Sequence, residues 1–209
     1  MSSIVLRQME EADIPAVVGL QRACFPEPFP EDLLWQESHL HAHLSRFPEG
    51  QFVIESSGLV VASSSSLIIS ESNWTAHLPW EETVGGFMFA NHDPSGTTLY
   101  GADISVQPDY RRLGLGRRLY QARFDLVTQL GLARYGTACR LPDASKFVEQ
   151  HGGDIQGYVA AVERGETVDR TLSPLLRYGL RLSAVIEDYM DDAESLDSAA
   201  VLEWTPTTA

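Results

Sequence analysis

Arg111-Arg112-Leu113-Gly114-Leu115-Gly116, followed by Arg117 and Arg118, places basic side chains on both sides of a turn with two glycines. The turn follows the apolar run Leu99-Tyr100-Gly101-Ala102-Asp103-Ile104-Ser105-Val106, which reads as a strand. It precedes a helix expected from about 114 to 130, with Leu119, Ala122, Leu126, Val127 and Leu130 toward a core and Gly131 as its left-handed end. A strand, a glycine turn and a helix N-terminus together make an anion trap. The helix start presents unpaired N–H groups and the positive end of its dipole. Glycine lets the backbone approach a phosphate, and arginine adds charge-assisted hydrogen bonds. The junction is therefore expected to hold a pyrophosphate. GxxxxGK[ST] is absent, and GxGxxG fails because no third glycine follows Gly116. The pattern that fits is R-x-x-G-x-G.

The charge distribution supports an anionic ligand there. The 209-residue chain carries a formal net charge of −14, yet seven of its 15 Lys and Arg residues lie between 111 and 140. An acidic chain is a poor match for nucleic acid. No apolar run is long enough to span a bilayer, and the N-terminal segment lacks a secretory pattern, so a cytoplasmic protein is expected. Two cysteines, Cys24 and Cys139, are too few for a disulfide framework and read as reduced thiols.

The elements that must position the turn follow from periodicity. Residues 3–8 read as a strand, and a helix with Ile14, Val17, Val18 and Cys24 on one face starts near Asp13 and Pro15. A second helix is expected over about 30–44, with Leu33, Glu37, Leu40 and Leu44 in one stripe. Two antiparallel strands turn at Ser57-Gly58, with the serine run 63–66 inside the second. Residues 71–98 read as irregular, 133–141 as a strand, about 142–168 as an inserted helical segment, and 170–179 as a short helix interrupted by Pro174. Strands over 180–190 and 199–206 close the chain, giving one α/β (α+β) domain over 1–209.

This junction resembles the acyl-CoA-binding motif of the GNAT N-acetyltransferases. The resemblance implies a mixed, mostly antiparallel sheet flanked by helices, with two strands splayed at the acyl-CoA site. It places the pantetheine arm along Ile104, Ser105 and Val106, and the pyrophosphate along Arg111, Arg112, Leu113, Gly114, Leu115, Gly116 and Arg117. Arg112 stands where the family turn more usually has glycine. The segments "HDPSGTTLYGADISVQPDYRRLGLGRRLYQAR", "YVAAVERGE" and "DYMDDAESLDSAAVLEW" also resemble the acetyltransferase domain found fused ahead of nitrilase-type carbon–nitrogen hydrolases. The chain ends at Ala209, where such a hydrolase would begin, so a stand-alone copy is expected.

The resemblance implies acyl transfer from acetyl-CoA, as acyl-donor substrate, to an amine of a small molecule by direct attack in a ternary complex. Such chemistry needs a base for the amine, a donor for the oxyanion and an acid for the leaving thiolate. The backbone N–H of Val106 takes the oxyanion role by resemblance. Asp103 is the base candidate from its place on the central strand, with Glu81 and Glu82 as weaker ones. Relatives carry an acid tyrosine four residues before the glycine after the last helix. Counting back from Gly179 gives Leu175; Tyr178 and Ser173 are near, neither fills that slot, and Tyr178 is the candidate acid.

Other features carry less. His39, His41 and His43 lie close together, but neither a third ligand nor HExxH accompanies them, and no metal is expected. The acidic run from Glu187 to Asp197 reads as a solvated loop between the last two strands; the resemblance places that loop near the acceptor cleft, with a cationic amine substrate as the alternative. His92-Asp93-Pro94 is first a turn signal, with an acceptor-site role as the alternative. The competing function is a non-catalytic CoA-binding sensor or scaffold for a separately encoded carbon–nitrogen hydrolase. Dimeric relatives make a homodimer a further expectation.

Overall fold

The computed structural model describes residues 4–27 and 29–207. One seven-stranded sheet organises the molecule, in the order β1-β2-β3-β4-β5-β7-β6. Its strands are β1 (Ile4–Gln8), β2 (Phe52–Ser56), β3 (Leu59–Ile69), β4 (Thr98–Val106), β5 (Arg134–Arg140), β6 (Arg181–Ile186) and β7 (Ala199–Trp204). Every neighbouring pair is antiparallel except β4–β5. The helices are α1 (Ile14–Cys24), α2 (Glu37–Arg46), α3 (Glu71–Ala76), α4 (Trp80–Val84), α5 (Leu115–Leu130), α6 (Ala144–His151), α7 (Ile155–Glu163) and α8 (Leu172–Arg177). The mixed sheet flanked by helices is the architecture expected from the sequence.

Alternation along the strands builds a core on each face. Phe52, Ile54, Ile68, Leu99 and Leu202 join Leu119, Phe124 and Val127 of α5 and Tyr158 of α7 on one side. Val53, Leu67, Ile69, Tyr100 and Val201 join Ile14 and Val17 of α1 and Leu40 of α2 on the other. The serine run is central strand, because β3 is covered on both faces and Ser63 to Ser66 are all buried. The hairpin at Ser57-Gly58 takes φ values of 52° and 84°, the left-handed geometry that suits a right-twisted pair of strands.

Several boundaries differ from the sequence reading. The expected helix over 30–44 is a 3-10 turn at Glu31–Leu33 and then α2, which starts at Glu37. Leu34 and Trp35 are buried from an extended stretch, and Gln36 and His39 exchange capping hydrogen bonds, so Glu37 begins the helix rather than lying in its apolar stripe. The stretch read as irregular holds α3 and α4. Pro174 does not interrupt α8: it lies in the first turn, where a helix amide needs no internal partner. Leu130 is exposed rather than in the core.

Candidate active site

The parallel ladder between β4 and β5 is short. It runs only over Thr98–Tyr100 against Arg134–Gly136, although β4 continues to Val106 and β5 to Arg140. The two strands part beyond Gly101, where Thr137 Oγ1 donates to the Gly101 carbonyl at 2.9 Å. A β-bulge opens the other edge of β4: Ser65 faces Asp103 while Ser66 faces Gly101, leaving Ala102 as the extra residue. Trp80 Nε1 caps the Ala102 carbonyl at 3.1 Å. Arg123, 1% exposed, donates to the carbonyls of Ser65 (2.9 Å) and Asp103 and to the Tyr135 hydroxyl (3.0 Å). A buried cation on α5 thus holds the bulge and the base of the gap together.

Hydrogen-bond alternation decides which residues of β4 face the gap. Gln107 N–H donates to the Val61 carbonyl at 2.9 Å, and Val106 stands opposite Ala62. Ser105 therefore pairs its backbone with Ser63, while Ile104 and Val106 direct theirs toward β5, where no ladder partner remains. Of the three expected pantetheine residues, Ile104 and Val106 have main-chain groups on the open edge. Ser105 is buried, and its hydroxyl accepts from Gln21 Nε2 at 2.9 Å. Arg111 Nε donates to the Val106 carbonyl at 3.2 Å and pins the strand to the turn.

The glycine turn follows directly. Gly114 caps α5 with φ 77°, and Arg112 takes φ 64°. The left-handed conformation costs a residue with a Cβ roughly 1–2 kcal/mol, so Arg112 bears a strain that glycine would not. Gly114 and Gly116 face open space: nothing lies within 4 Å of where a Cβ would stand on either. The first internal bond of α5 is Arg118 N–H to the Gly114 carbonyl, and among the described residues the amides of 112–117 make no hydrogen bond. The turn thus presents a row of free donors with no acidic side chain in the first turn of α5. Its glycines leave room for a diphosphate, and Arg111, Arg112 and Arg117 are exposed around it. The residues present fit the diphosphate-and-pantetheine end of CoA.

The gap opens into a cavity of about 280 Å³, walled by Gly101–Ile104 of β4, Thr137–Arg140 of β5, Tyr120 and Arg123 of α5, and aromatic side chains of the α1–α2 connection (Phe25, Phe29, Trp35), of α4 (Trp80) and of the stretch after it (Phe87). Asp103 is its carboxylate. Gln21 Nε2 donates to Asp103 Oδ2 at 2.9 Å, and the Ser105 hydroxyl lies 3.4 Å from the same oxygen. Burial raises the Asp103 pKa, opposed by the Gln21 bond and the nearby Arg123 charge. The Trp35 indole N–H also favours the ionised form, though it closes no hydrogen bond. Tyr120 of α5 lines the same cavity, and burial pushes its phenol well above the ordinary tyrosine value, so it stays protonated.

The remaining sequence candidates fall elsewhere. Tyr178 ends α8 and packs against Tyr120, ring centroids 5.7 Å apart, without lining the cavity. Glu81 and Glu82 are exposed on α4. His92 accepts from the Ile68 amide at 3.2 Å and stacks on Phe47, while Asp93 accepts from the Ser95 amide and hydroxyl in the following turn. His43 is buried against Phe87 and Phe89, its Nε2 2.7 Å from the Phe87 carbonyl, and burial lowers its pKa to about 3. No group of three metal-ligating side chains occurs among the described residues. The acidic loop contributes Tyr189 and Met190 to the cavity, but Asp192 and Glu194 turn away to Arg140. No helix among the described residues is long and apolar enough to cross a membrane.

Sequence reasoning missed Gln21, Trp35, Trp80, Tyr120 and Arg123. Trp35, Trp80 and Gln21 come from segments distant in sequence, and nothing local ties them to Asp103. Tyr120 and Arg123 lie three apart on α5, and an arginine on the apolar side of that helix was the one available signal.

Comparison with known proteins agrees with this geometry. The acetyltransferase (GNAT) family model matches residues 14–153. The chain is 35% identical to the uncharacterized N-acetyltransferase YkwB of Bacillus subtilis over 202 residues, covering 97% of this chain and 88% of that protein. It is 36% identical to the probable hydrolase YhcX of Bacillus subtilis over 202 residues, covering 96% of this chain but only 38% of that longer protein. In fold it is similar to the GNAT-like decarboxylase GphF, solved with isobutyryl-CoA, at TM-score 0.79 and 22% identity, covering 96% of this chain and 98% of that one. With a splayed β4–β5 pair, a free-amide turn at the start of α5 and a family match over two thirds of its length, the chain belongs to the GNAT acetyltransferase family.

Proposed function

We propose that this protein is an acyl-CoA-dependent N-acyltransferase that moves the acetyl group of acetyl-CoA to the amine of a small molecule within a ternary complex. The observation that carries the reading is the continuity of one donor track. The open edge of β4 at Ile104 and Val106 runs into the free amides of 112–117, and the cavity with Asp103 opens beside that edge. Support also comes from YkwB, named as an N-acetyltransferase, and from GphF, which holds an acyl-CoA. Residues 1–209 are read as one domain, with about 142–168 inserted between β5 and α8.

In this reading Asp103 takes a proton from the acceptor ammonium through Oδ1, which makes no hydrogen bond among the described residues. The neutral amine attacks the thioester carbon, forming the C–N bond. Val106 N–H donates to the oxyanion, and the C–S bond breaks as the carbonyl re-forms. The second proton of the attacking nitrogen reaches the leaving thiolate through Tyr120, the phenol in the cavity wall, which gives its own proton to sulfur and takes the one from nitrogen; Tyr178, behind it, is the alternative relay. The products are an amide and CoA.

The second reading is a CoA-binding module without turnover, favoured by the place of Tyr178 outside the cavity wall. A separately encoded carbon–nitrogen hydrolase is its proposed partner, in keeping with the match to one part of the longer YhcX. Titration with acetyl-CoA and thiol release across an amine panel separate the two. Binding with amine-dependent, Asp103-dependent thiol release supports the enzyme, and binding without release on any amine supports the module. Absence of binding removes both.

A further inference from the structure

The chemistry of the cavity wall names an acceptor class, an inference that rests on the acyltransfer reading. Phe25, Phe29, Trp35, Trp80 and Phe87 surround one carboxylate, Asp103. Trp35, Trp80 and Phe87 form a continuous aromatic surface, with ring centroids 5.7 Å apart for Trp35–Trp80, 5.9 Å for Trp35–Phe87 and 5.3 Å for Trp80–Phe87. Among the described residues, Asp103 is the one carboxylate that lines the cavity. Gln21 and Ser105 hold it through Oδ2, and Oδ1 carries no hydrogen bond among the described residues.

The cations beside the cavity are engaged. Arg140 binds Asp192 through Nε (2.6 Å) and Nη2 (2.7 Å) and also reaches Glu194 (3.2 Å). Arg123 is directed at two carbonyls and a phenol, and its unbonded Nε is buried. Arg123 is committed to protein acceptors, and Arg140, with only Nη1 uncommitted, already has its charge balanced by two carboxylates, so a ligand carboxylate would find no unneutralised cation; a second ammonium would meet aromatic rings without a second carboxylate. At about 280 Å³ the cavity is slightly smaller than the roughly 300–1,000 Å³ of common ligand pockets, so the guest is small. We infer that the acceptor is a small primary amine with an aromatic body and no carboxylate, its ammonium on Asp103 Oδ1 and its ring against Trp35, Trp80 and Phe87. Ring faces favour the cation as it docks and bury the apolar body.

Two readouts on the intact protein test this. The first is quenching of tryptophan fluorescence by 2-phenylethylamine, phenylalanine and putrescine, each with and without saturating CoA, beside a separate acetyl-CoA titration. The second is thiol release from acetyl-CoA with the same amines. 2-Phenylethylamine is expected to bind at least tenfold more tightly than phenylalanine or putrescine and to give at least tenfold higher kcat/KM. Asp103→Asn is expected to weaken its binding at least tenfold while leaving the acetyl-CoA titration unchanged. Preference for phenylalanine or putrescine, or acetyl-CoA binding without any 2-phenylethylamine binding, overturns the inference. If 2-phenylethylamine binds as expected but acetyl-CoA does not, the ligand class stands and the acyltransfer reading falls. If neither binds, both fall.

Discussion

Gly116→Glu separates the diphosphate site from the stability of the fold. Gly116 is the second residue of α5, has no left-handed φ, and has nothing within 4 Å of a new Cβ. Replacing a helical glycine gains about 0.5–1 kcal/mol of helix stability. A carboxylate in the first turn adds about 0.3–1 kcal/mol through the dipole, in a turn that now holds no acid. For a domain of this size about 1 kcal/mol raises Tm by roughly 2–4 °C. The same carboxylate stands among the free amides of 112–117, where the diphosphate would bind. A unit charge about 5 Å from a phosphate charge costs about 3 kcal/mol at an effective dielectric constant of about 20. At about 1.4 kcal/mol per decade that is roughly a hundredfold in Kd. Calorimetric titration with CoA reads the loss, pantetheine (which lacks the diphosphate) serves as the control ligand, and thermal unfolding reads stability. CoA affinity within threefold of the parent, in a variant with raised Tm, refutes the diphosphate assignment. Gly114→Glu also blocks the turn, but its φ of 77° adds strain, so Gly116 is the cleaner position.

Tyr120→Phe is expected to lower kcat at least tenfold with KM for acetyl-CoA little changed, while Tyr178→Phe is expected to lower it less than threefold; steady-state kinetics of both variants decide which phenol supplies the proton. Burial raises the Asp103 pKa, so kcat/KM is expected to rise with pH on a limb above the ordinary carboxylate range, and a pH profile of Asp103→Asn should lack that limb. The folded state holds this proton more tightly than the unfolded chain. Its contribution to stability therefore falls as pH rises from the unfolded carboxylate value through the raised folded one, and denaturant titration should show Asp103→Asn gaining on the parent through that window and holding the gain above it. Gly101→Ala would drive a methyl group into the Tyr135 hydroxyl that Arg123 holds, and denaturant unfolding is expected to show a loss of about 1–3 kcal/mol.

The parts of the site that lie close together in the chain were legible in it. Arg111–Arg117 and the strand before it carry their own geometry: glycine at Gly114 permits the left-handed cap, and an apolar run followed by an amphipathic helix sets the direction of both flanks. The antiparallel pairing of β2 with β3 followed from alternation and from the turn residues Ser57-Gly58, whereas the order of the seven strands in the sheet rests on long-range pairing that no local pattern shows. The acceptor wall was not legible. Trp35 sits in an extended stretch that read as helix, because its burial depends on Phe87, Phe89 and Trp80, more than 40 residues away. Trp80 lies in a single-turn helix too short to show a period. Ala102 gives no sign that it is a bulge, since that follows from the register against Ser65 and Ser66 and from the Arg123 guanidinium beneath it. Arg112 shows how much the turn tolerates: it takes the left-handed conformation without being glycine.

The structure of the complex with acetyl-CoA tests the central claim most directly. The account predicts the diphosphate oxygens within hydrogen-bond distance of the amides of 112–117, pantetheine amides paired with the main chain of Ile104 and Val106, and the thioester facing Asp103 across the gap. Acetyl-CoA bound elsewhere, or in the gap with its diphosphate away from the start of α5, would contradict it.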